Sequence, residues 1–132
     1  LYGDRDGGLA PLEGRTWDAV IDVSGYLPRL VRDAVRTVRT ERYVFVSTIS
    51  VYAALDTPGM DERAPLATLK DANVEQVTGE TYGGLKVLCE QAAEKAMPGK
   101  TTVIRPGLIV GPGDTTDRFT YWPVRIERGG EI

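Results

Sequence analysis

Three short β-prone runs, each ending in small or polar residues, constrain the fold of this chain more than any other feature. The clearest run is Tyr-Val-Phe-Val at positions 43–46, a continuous apolar stretch of the kind that parallel sheets bury on both faces. Positions 17–25 and 101–110 contain the other two runs, and positions 1–2 resemble the end of a further strand. These runs predict the strands of one sheet.

Segments with helical periodicity alternate with these strands. Apolar residues recur at helical spacing over positions 28–38, and a second helix occupies positions 82–97, where Pro98 and Gly99 follow it. A third helix begins near Thr116. This order predicts an α/β fold in which a parallel sheet is covered by helices on both faces.

The length of 132 residues fits one domain over positions 1–132, which can bury roughly two thirds of its extended surface. Positions 54–78 contain prolines, a glycine and many charges without a long period. This stretch predicts a loop with room for one helical turn.

Composition excludes several kinds of chemistry. The chain has no histidine and a single cysteine, Cys89, which excludes Ser-His-Asp and Cys-His sites, most zinc sites and an internal disulfide. The net charge of −3, with both signs dispersed, indicates neither a nucleic-acid partner nor a membrane surface. No apolar run approaches the roughly 20 residues of a membrane span, and no leader pattern occurs, so the expected compartment is a reducing cytoplasm.

The carboxyl ends of the predicted strands form the candidate site. Ligands of open parallel sheets bind there, because loops and helix N-termini converge at that edge. The three ends are Val-Ser-Gly at positions 23–25, Ser-Thr-Ile-Ser at 47–50 and Arg-Pro-Gly at 105–107. Their small and polar residues would let a ligand approach the backbone.

Tyr82 and Lys86 stand four residues apart and share one face of the second helix. A neighbouring ammonium stabilises a phenolate, which would make Tyr82 a usable acid or base near neutral pH. With a hydroxyl from Thr48, these side chains could exchange a proton with a carbonyl or an alcohol while a hydride moves elsewhere. Gly83 and Gly84, which each cost about 1 kcal/mol against alanine in a helix, indicate that something packs close to this turn.

Structural alternatives exist for each of these residues. Tyr-x-x-x-Lys occurs often by chance, Lys86 could pair with Glu90 at i+4, and Tyr82 could be a half-buried aromatic. Thr48 could cap the backbone at the strand end, and Cys89, with no imidazole to activate it, is interpreted as a packing residue. The order of the motifs along the chain favours the catalytic interpretation.

In that order, the motifs resemble the short-chain dehydrogenase/reductase superfamily and, within it, the extended or atypical branch called the NAD-dependent epimerase/dehydratase family. The resembling segments cover most of the chain: AVIDVSG at 19–25, VFVSTISVYA at 44–53, YGGLK at 82–86 and VIRPGLIVGPGD at 103–114. The resemblance implies a partial Rossmann-like, doubly wound parallel sheet, built from strands 4 to 6 of the family's order with flanking helices.

The resemblance also implies roles for individual residues. Tyr82 matches the acid/base, Lys86 matches the lysine that lowers its pKa and holds the nicotinamide ribose, and Thr48 matches the hydroxyl that binds substrate. The implied cofactor contacts are Val23, Ser24 and Gly25 alongside the cofactor, Pro106 and Gly107 at the edge of the nicotinamide pocket, and Asp4 at the adenine.

Two departures from the family pattern limit what the resemblance implies. Leu108 stands where many sugar-nucleotide enzymes of the family carry an asparagine that helps to hold the substrate, so a nucleotide-sugar substrate is not expected. The sequence also lacks a Gly-x-x-Gly-x-x-Gly loop, whose helix N-terminus would hold the pyrophosphate. The chain is therefore expected to be a fragment, with NAD or NADP bound in the full-length parent and weakly or not at all by the fragment.

The expected function is that of an NAD(P)-dependent oxidoreductase, epimerase or dehydratase that acts on a small carbonyl or alcohol substrate without a metal, the fragment being inactive alone. The alternatives are a non-catalytic regulator of the same fold, an RNA-binding relative, or a domain remnant without activity. Such relatives often lose the Tyr or the Lys, and RNA binding calls for a basic face. The open apolar edge expected on strand 4 predicts a homo-oligomer.

Overall fold

The computed structural model describes residues 1–130 and contains five strands and three α-helices in that range. In chain order these are β1 (Thr16–Trp17), β2 (Val20–Asp22), α1 (Pro28–Thr37), β3 (Arg39–Thr40), β4 (Tyr43–Val46), α2 (Tyr82–Ala96), β5 (Thr101–Ile104) and α3 (Tyr121–Glu127). Two 3-10 turns span Ala10–Leu12 and Ile49–Val51. The chain is therefore α/β, as the alternation of strands and helices predicts.

Both sheets are small and parallel. The larger sheet has the order β2-β4-β5, and β1 pairs with β3 in a separate two-stranded sheet. In the larger sheet Asp22 lies opposite Phe45, which lies opposite Val103. The predicted parallel pairing is confirmed, and the 43–46 strand is the central strand of this sheet.

The two longer helices pack on the same face of the larger sheet. Val31 and Val35 of α1 share one buried cluster with Phe45 of β4 and with Cys89 and Ala93 of α2. The chain passes from β2 through α1 to β4 and then through α2 to β5, stepping across the sheet in one direction. Right-handed crossovers in such a sequence place both helices on one side.

The opposite face of the sheet is open in the described part of the chain. Ile21 of β2 and Ile104 of β5 point to this face and are 66% and 47% exposed. No residue of α3 is buried. The prediction of helices on both faces is therefore wrong for residues 1–130.

The strand predictions need three corrections. Leu1 and Tyr2 form no strand and are 73% and 97% exposed. The run at positions 17–25 divides into two strands that pair in different sheets, β1 with β3 and β2 with β4. β5 ends at Ile104, well before the predicted end, because Pro106 has no N–H to contribute to a sheet ladder.

The helix predictions hold better. α1 and α2 match their predicted bounds to within one residue. α3 begins at Tyr121 rather than near Thr116, and Pro123 lies in its first turn, where the missing N–H has no intrahelical partner to lose. Positions 54–78 form the predicted loop and contain no helical turn. Among the described residues, no helix has the length and apolar character needed to cross a membrane.

A buried ion pair attaches the N-terminal segment to the end of β2. Arg5 donates two hydrogen bonds to the Asp22 carboxylate, at 2.6 and 2.5 Å, and Tyr43 Oη donates another at 2.6 Å. Burial alone would raise the pKa of Asp22, but the hydrogen bonds from Arg5 and Tyr43 outweigh burial and hold this pKa below its usual range. Burial, together with the nearby Asp22 carboxylate, raises the pKa of the Tyr43 phenol, which therefore stays protonated and donates.

Replacing Asp22 by Asn should destabilise the protein by about 3 kcal/mol. This value is at the lower end of the range for breaking a buried ion pair, because part of the Arg5 side chain is in solvent. A carboxylate with a depressed folded-state pKa stabilises the fold above its unfolded pKa of about 3.9, and this contribution is lost as the pH falls through the folded value. Urea unfolding from about pH 7 to about pH 2 should therefore show a shallower acid limb for Asp22→Asn than for wild type. Asp33→Asn, at an exposed position of α1, is the control and should keep the wild-type limb; identical limbs in wild type and Asp22→Asn would contradict the assignment.

β2 is an unpaired edge of the larger sheet within residues 1–130. The Val20 N–H donates to the Arg42 carbonyl at 2.9 Å, so Val20 faces β4, and the N–H and C=O of the next residue, Ile21, face away from the sheet. Ile21 and Val23 are 66% and 67% exposed. Such an apolar edge with free backbone groups is a site for pairing with another chain.

We expect the chain to self-associate through this edge. Ile21→Lys should weaken association at least about tenfold, because it places a charge where a second strand would pack. Sedimentation velocity over a concentration series measures the change. Val77→Lys is the matched control, since Val77 is 45% exposed but lies outside both sheets. A wild-type chain that stays monomeric at every concentration would count against the expectation.

Candidate functional site

The carboxyl ends of β4 and β5 stay paired beyond the strands. The Ser47 N–H donates to the Ile104 carbonyl at 2.7 Å, and the Ile49 N–H donates to the Pro106 carbonyl at 3.0 Å. Gly107 lies beside the same contact, since an added Cβ would be 3.8 Å from Ile49 Cδ1. The structure thus brings the predicted residues Pro106 and Gly107 against the segment that follows β4.

Lys86 connects the end of β2 to the paired ends of β4 and β5. Its ammonium donates to the carbonyl of Gly25 at 2.8 Å, beyond the end of β2, and to the carbonyl of Val46 at 2.9 Å, at the end of β4. The residue is 3% exposed, and Nζ lies 4.3 Å from the centroid of the Phe45 ring. Burial lowers the pKa of Lys86, since it penalises the charged form. A buried amine with a perturbed pKa at a strand end is a candidate functional group.

Gly25 is required by packing at this point. A Cβ on Gly25 would lie 2.5 Å from Phe45 Cε2 and 2.6 Å from Val31 Cγ2. The backbone therefore lies directly against the core, which fixes the carbonyl that accepts from Lys86. The approach of a cofactor to this glycine stays a prediction.

Tyr82 begins α2, one turn before Lys86. Its ring centroid lies 6.4 Å from that of Tyr26, and Lys86 Nζ lies 5.6 Å from the Tyr26 centroid. Tyr26 is thus beside both residues of the predicted motif. No sequence motif pointed to Tyr26; the available signal was its place directly after the 23–25 strand end.

Thr48 lies on the segment that packs against the first turn of α2. Its Oγ1 accepts a hydrogen bond from the Ser50 N–H at 3.1 Å and donates to Ser50 Oγ at 3.2 Å, so Thr48 caps the 3-10 turn that follows it. Gly83 permits the close approach, because a Cβ there would be 2.2 Å from the Ser50 carbonyl oxygen. A Cβ on Gly84 would be 2.6 Å from Leu69 Cγ. The predicted close packing at both glycines is confirmed, whereas the catalytic role of Thr48 stays a prediction.

Three more of the predicted residues lie together at the end of β2. Asp4, Val23 and Ser24 line a cavity of about 270 Å³. Arg5 and Asp22 line it as well, and Arg5 Nη1 donates to Ser24 Oγ at 3.3 Å. No described residue of α2 is part of this lining. The predicted site residues therefore form two groups, one in the cavity and one on α2, joined through the backbone between positions 24 and 25.

Glu90 binds Arg105 and leaves Lys86 to the backbone carbonyls. Arg105 donates to the two oxygens of the Glu90 carboxylate at 3.1 and 2.7 Å, and the two side chains are 17% and 4% exposed. The alternative in which Lys86 pairs with Glu90 is therefore wrong. The sequence did not indicate this pair, because Arg105 contacts α2 from a position just beyond the end of β5 and i+4 spacing describes only contacts within one helix.

Cys89 belongs to the core. Its side chain is fully buried in the cluster that α1 and α2 form against β4. Burial raises the pKa of the Cys89 thiol to about 12. The thiol stays protonated near neutral pH, and the packing interpretation is confirmed.

Comparison with protein-family models, with curated proteins and with solved structures finds no match for this chain. The family expectation therefore rests on the sequence motifs. The geometry at the strand ends is the further observation that bears on function.

Replacing Gly83 by Ala should destabilise the protein by about 1–3 kcal/mol, because the new methyl group collides with the Ser50 backbone. At an unhindered helix position the same change would instead stabilise by about 1 kcal/mol. Urea unfolding measures the difference. Gly79→Ala, where an added Cβ meets no atom within 4 Å, is the control and should stay within about 0.5 kcal/mol of wild type. A stabilised Gly83→Ala protein would show that α2 does not approach the Thr48 segment this closely.

Proposed function

We propose that this chain provides the catalytic part of an NAD(P)-dependent oxidoreductase, epimerase or dehydratase that acts on a small carbonyl or alcohol. The observation that carries the proposal is the buried Lys86 ammonium, which binds the Gly25 and Val46 carbonyls where two parallel strands end. An apolar side chain would serve core packing at lower cost, because burying a charge is unfavourable. A charge retained at the ligand-binding edge of a parallel sheet supports a chemical role.

The fold supports the same proposal. The parallel order β2-β4-β5, with both crossover helices on one face, is compatible with one half of a doubly wound sheet. We propose a partial Rossmann-like sheet as the architecture. In that architecture the carboxyl ends of the strands, where Lys86 lies, are the ligand-binding edge.

Tyr82 is the acid/base in this proposal. Tyr82 and Lys86 lie one turn apart on α2, and both lie beside Tyr26. In this proposal Tyr82 gives a proton to a carbonyl oxygen, or takes one from a hydroxyl, with the Lys86 ammonium one turn along the same helix. Thr48, held against the first turn of α2, hydrogen-bonds the same substrate oxygen and orients it.

The residues proposed to hold a nicotinamide cofactor are Lys86 at the ribose, Val23 and Ser24 just beyond the end of β2, and Asp4 towards the adenine. The last three line one cavity, which supports assigning them to a single ligand. The bound cofactor would accept or return the hydride. Because the sequence has no Gly-x-x-Gly-x-x-Gly loop to bind the pyrophosphate, we propose that this chain binds the cofactor weakly.

The non-catalytic alternatives have less support. Relatives without activity often lack the Tyr or the Lys of the motif, and this chain has both Tyr82 and Lys86. The net charge of −3 gives no support to an RNA-binding face. These alternatives become outcomes of the experiment below.

An NMR titration of backbone amides with NADH and with NADPH tests the proposal. We expect chemical-shift changes at the amides of Ser24, Gly25 and Lys86, with a Kd of about 1 mM. Lys86→Met should weaken binding at least about tenfold, since it removes the ammonium that would hold the ribose. Tyr82→Phe should change Kd less than about twofold, because its phenol is assigned to the substrate. Lys95→Met, exposed on the same helix, is the control and should bind as wild type does.

Two results would contradict the proposal. The first is the absence of shifts at the strand ends with either cofactor. The second is equal binding by wild type and Lys86→Met. A titration with single-stranded RNA that shifts the same amides would then favour the RNA-binding alternative.

A further inference from the structure

Lys86 and Glu90 are spaced to form a salt bridge, yet they do not form one. Opposite charges at i and i+4 on a helix are neighbours and normally attract. Here the Lys86 ammonium donates to two backbone carbonyls, and the Glu90 carboxylate binds Arg105. The question is therefore why Glu90 binds Arg105 and not Lys86.

Arg105 is itself held from two sides. Besides Glu90, it donates to Tyr52 Oη at 3.2 Å and to the Glu62 carbonyl at 3.2 Å. Its guanidinium carbon lies 5.1 Å from the centroid of the Tyr52 ring. The hydrogen bond with Glu90 raises the pKa of Arg105, so the guanidinium keeps its charge at any working pH. Arg105 is thus a fixed, permanent cation next to α2.

The second carboxylate that faces Lys86 is bound in the same way. The titratable and charged groups around the ammonium are Cys89 and Glu90 on its own helix, Asp22 on β2 and Arg5 on the N-terminal segment, with the Tyr26 ring beside them. Asp22 binds Arg5 at 2.5 Å, and its side chain is 3% exposed. Each nearby carboxylate therefore has an arginine as its partner.

We propose that Arg105 is a positioning residue that binds Glu90 away from Lys86 and so leaves the Lys86 ammonium without a carboxylate partner. Arg5 does the same with Asp22. An ammonium paired with a carboxylate would have little net field to stabilise a neighbouring phenolate. The catalytic value of the arrangement rests on the function proposed above, whereas the arrangement itself concerns only the charges around Lys86.

The pKa of Lys86 in Arg105→Gln protein tests this inference. The sequence has four lysines, Lys70, Lys86, Lys95 and Lys100, so the ¹³Cε signals of labelled lysine can be followed individually. Lys86→Met assigns the signal of interest. In Arg105→Gln the released Glu90 carboxylate should turn to the ammonium and raise the pKa of Lys86 by about one pH unit or more.

Two further variants separate the arrangement of charges from general damage to the fold. Glu90→Gln/Arg105→Gln removes the released carboxylate, and its Lys86 should titrate at or below the wild-type pKa. Arg63→Gln, which removes an exposed arginine with a side chain 90% exposed, should leave the titration unchanged.

Glu90→Gln alone decides the matter if Arg105→Gln does not fold. If Arg105 binds Glu90, removing the Glu90 charge should lower the pKa of Lys86 by less than about half a pH unit. A fall of more than about one pH unit would mean that Glu90 is the partner of Lys86 in solution, and would overturn the inference. An unchanged or lowered Lys86 pKa in folded Arg105→Gln would overturn it as well.

These titrations need neither cofactor nor substrate. If NADH does not bind but the pKa of Lys86 changes as expected in the variants, the proposed function is overturned and the charge arrangement is kept. If NADH binds but the pKa of Lys86 does not change as expected, the proposed function is kept and the role of Arg105 is overturned.

Discussion

The arrangement of the strand ends depends on one buried ammonium. Lys86 crosses from α2 to the Gly25 and Val46 carbonyls and so connects the helix with two neighbouring strands. Both carbonyls lie beyond or at the end of their strands, where the sheet ladder no longer provides a donor. The lysine supplies that donor, and the carbonyls offset part of the cost of burying its charge. Gly25 contributes to the same arrangement, because a side chain at this position would collide with Phe45 and Val31.

The remaining charges of the site are arranged around this ammonium. Arg5 binds Asp22 on one side, and Arg105 binds Glu90 on the other. Both pairs have a carboxylate that is almost fully buried and an arginine that reaches solvent. This arrangement keeps two carboxylates charged inside the protein, since each has a bidentate partner. It also attaches the N-terminal segment and the end of β5 to the site. The same two ion pairs therefore compensate the buried charges and hold these two segments in place.

Much of the fold could be predicted from the sequence, and the errors have physical causes. α1, α2 and β4 were predicted to within one residue, because their periodicity and their proline and glycine signals are local. The site prediction brought Lys86, Gly25, Thr48 and the glycines of α2 to one edge of the sheet. It missed Tyr26 and the Arg5–Asp22 and Arg105–Glu90 pairs, whose partners are far apart along the chain. The covering of the sheet was mispredicted because alternation of elements does not fix the face on which each helix packs.

The sequence by itself determined the α/β class, the parallel strands, the face shared by Tyr82 and Lys86, and the need for close packing at Gly83 and Gly84. Each of these follows from spacing or from a residue's own backbone preferences. Only the tertiary structure decided which group each charge binds and which face of the sheet the helices cover. Lys86 and Gly25 are 61 residues apart, and Arg105, which follows β5, is 15 residues from Glu90 of α2. Such contacts depend on how the crossovers fold back onto the sheet, and local sequence carries no record of that.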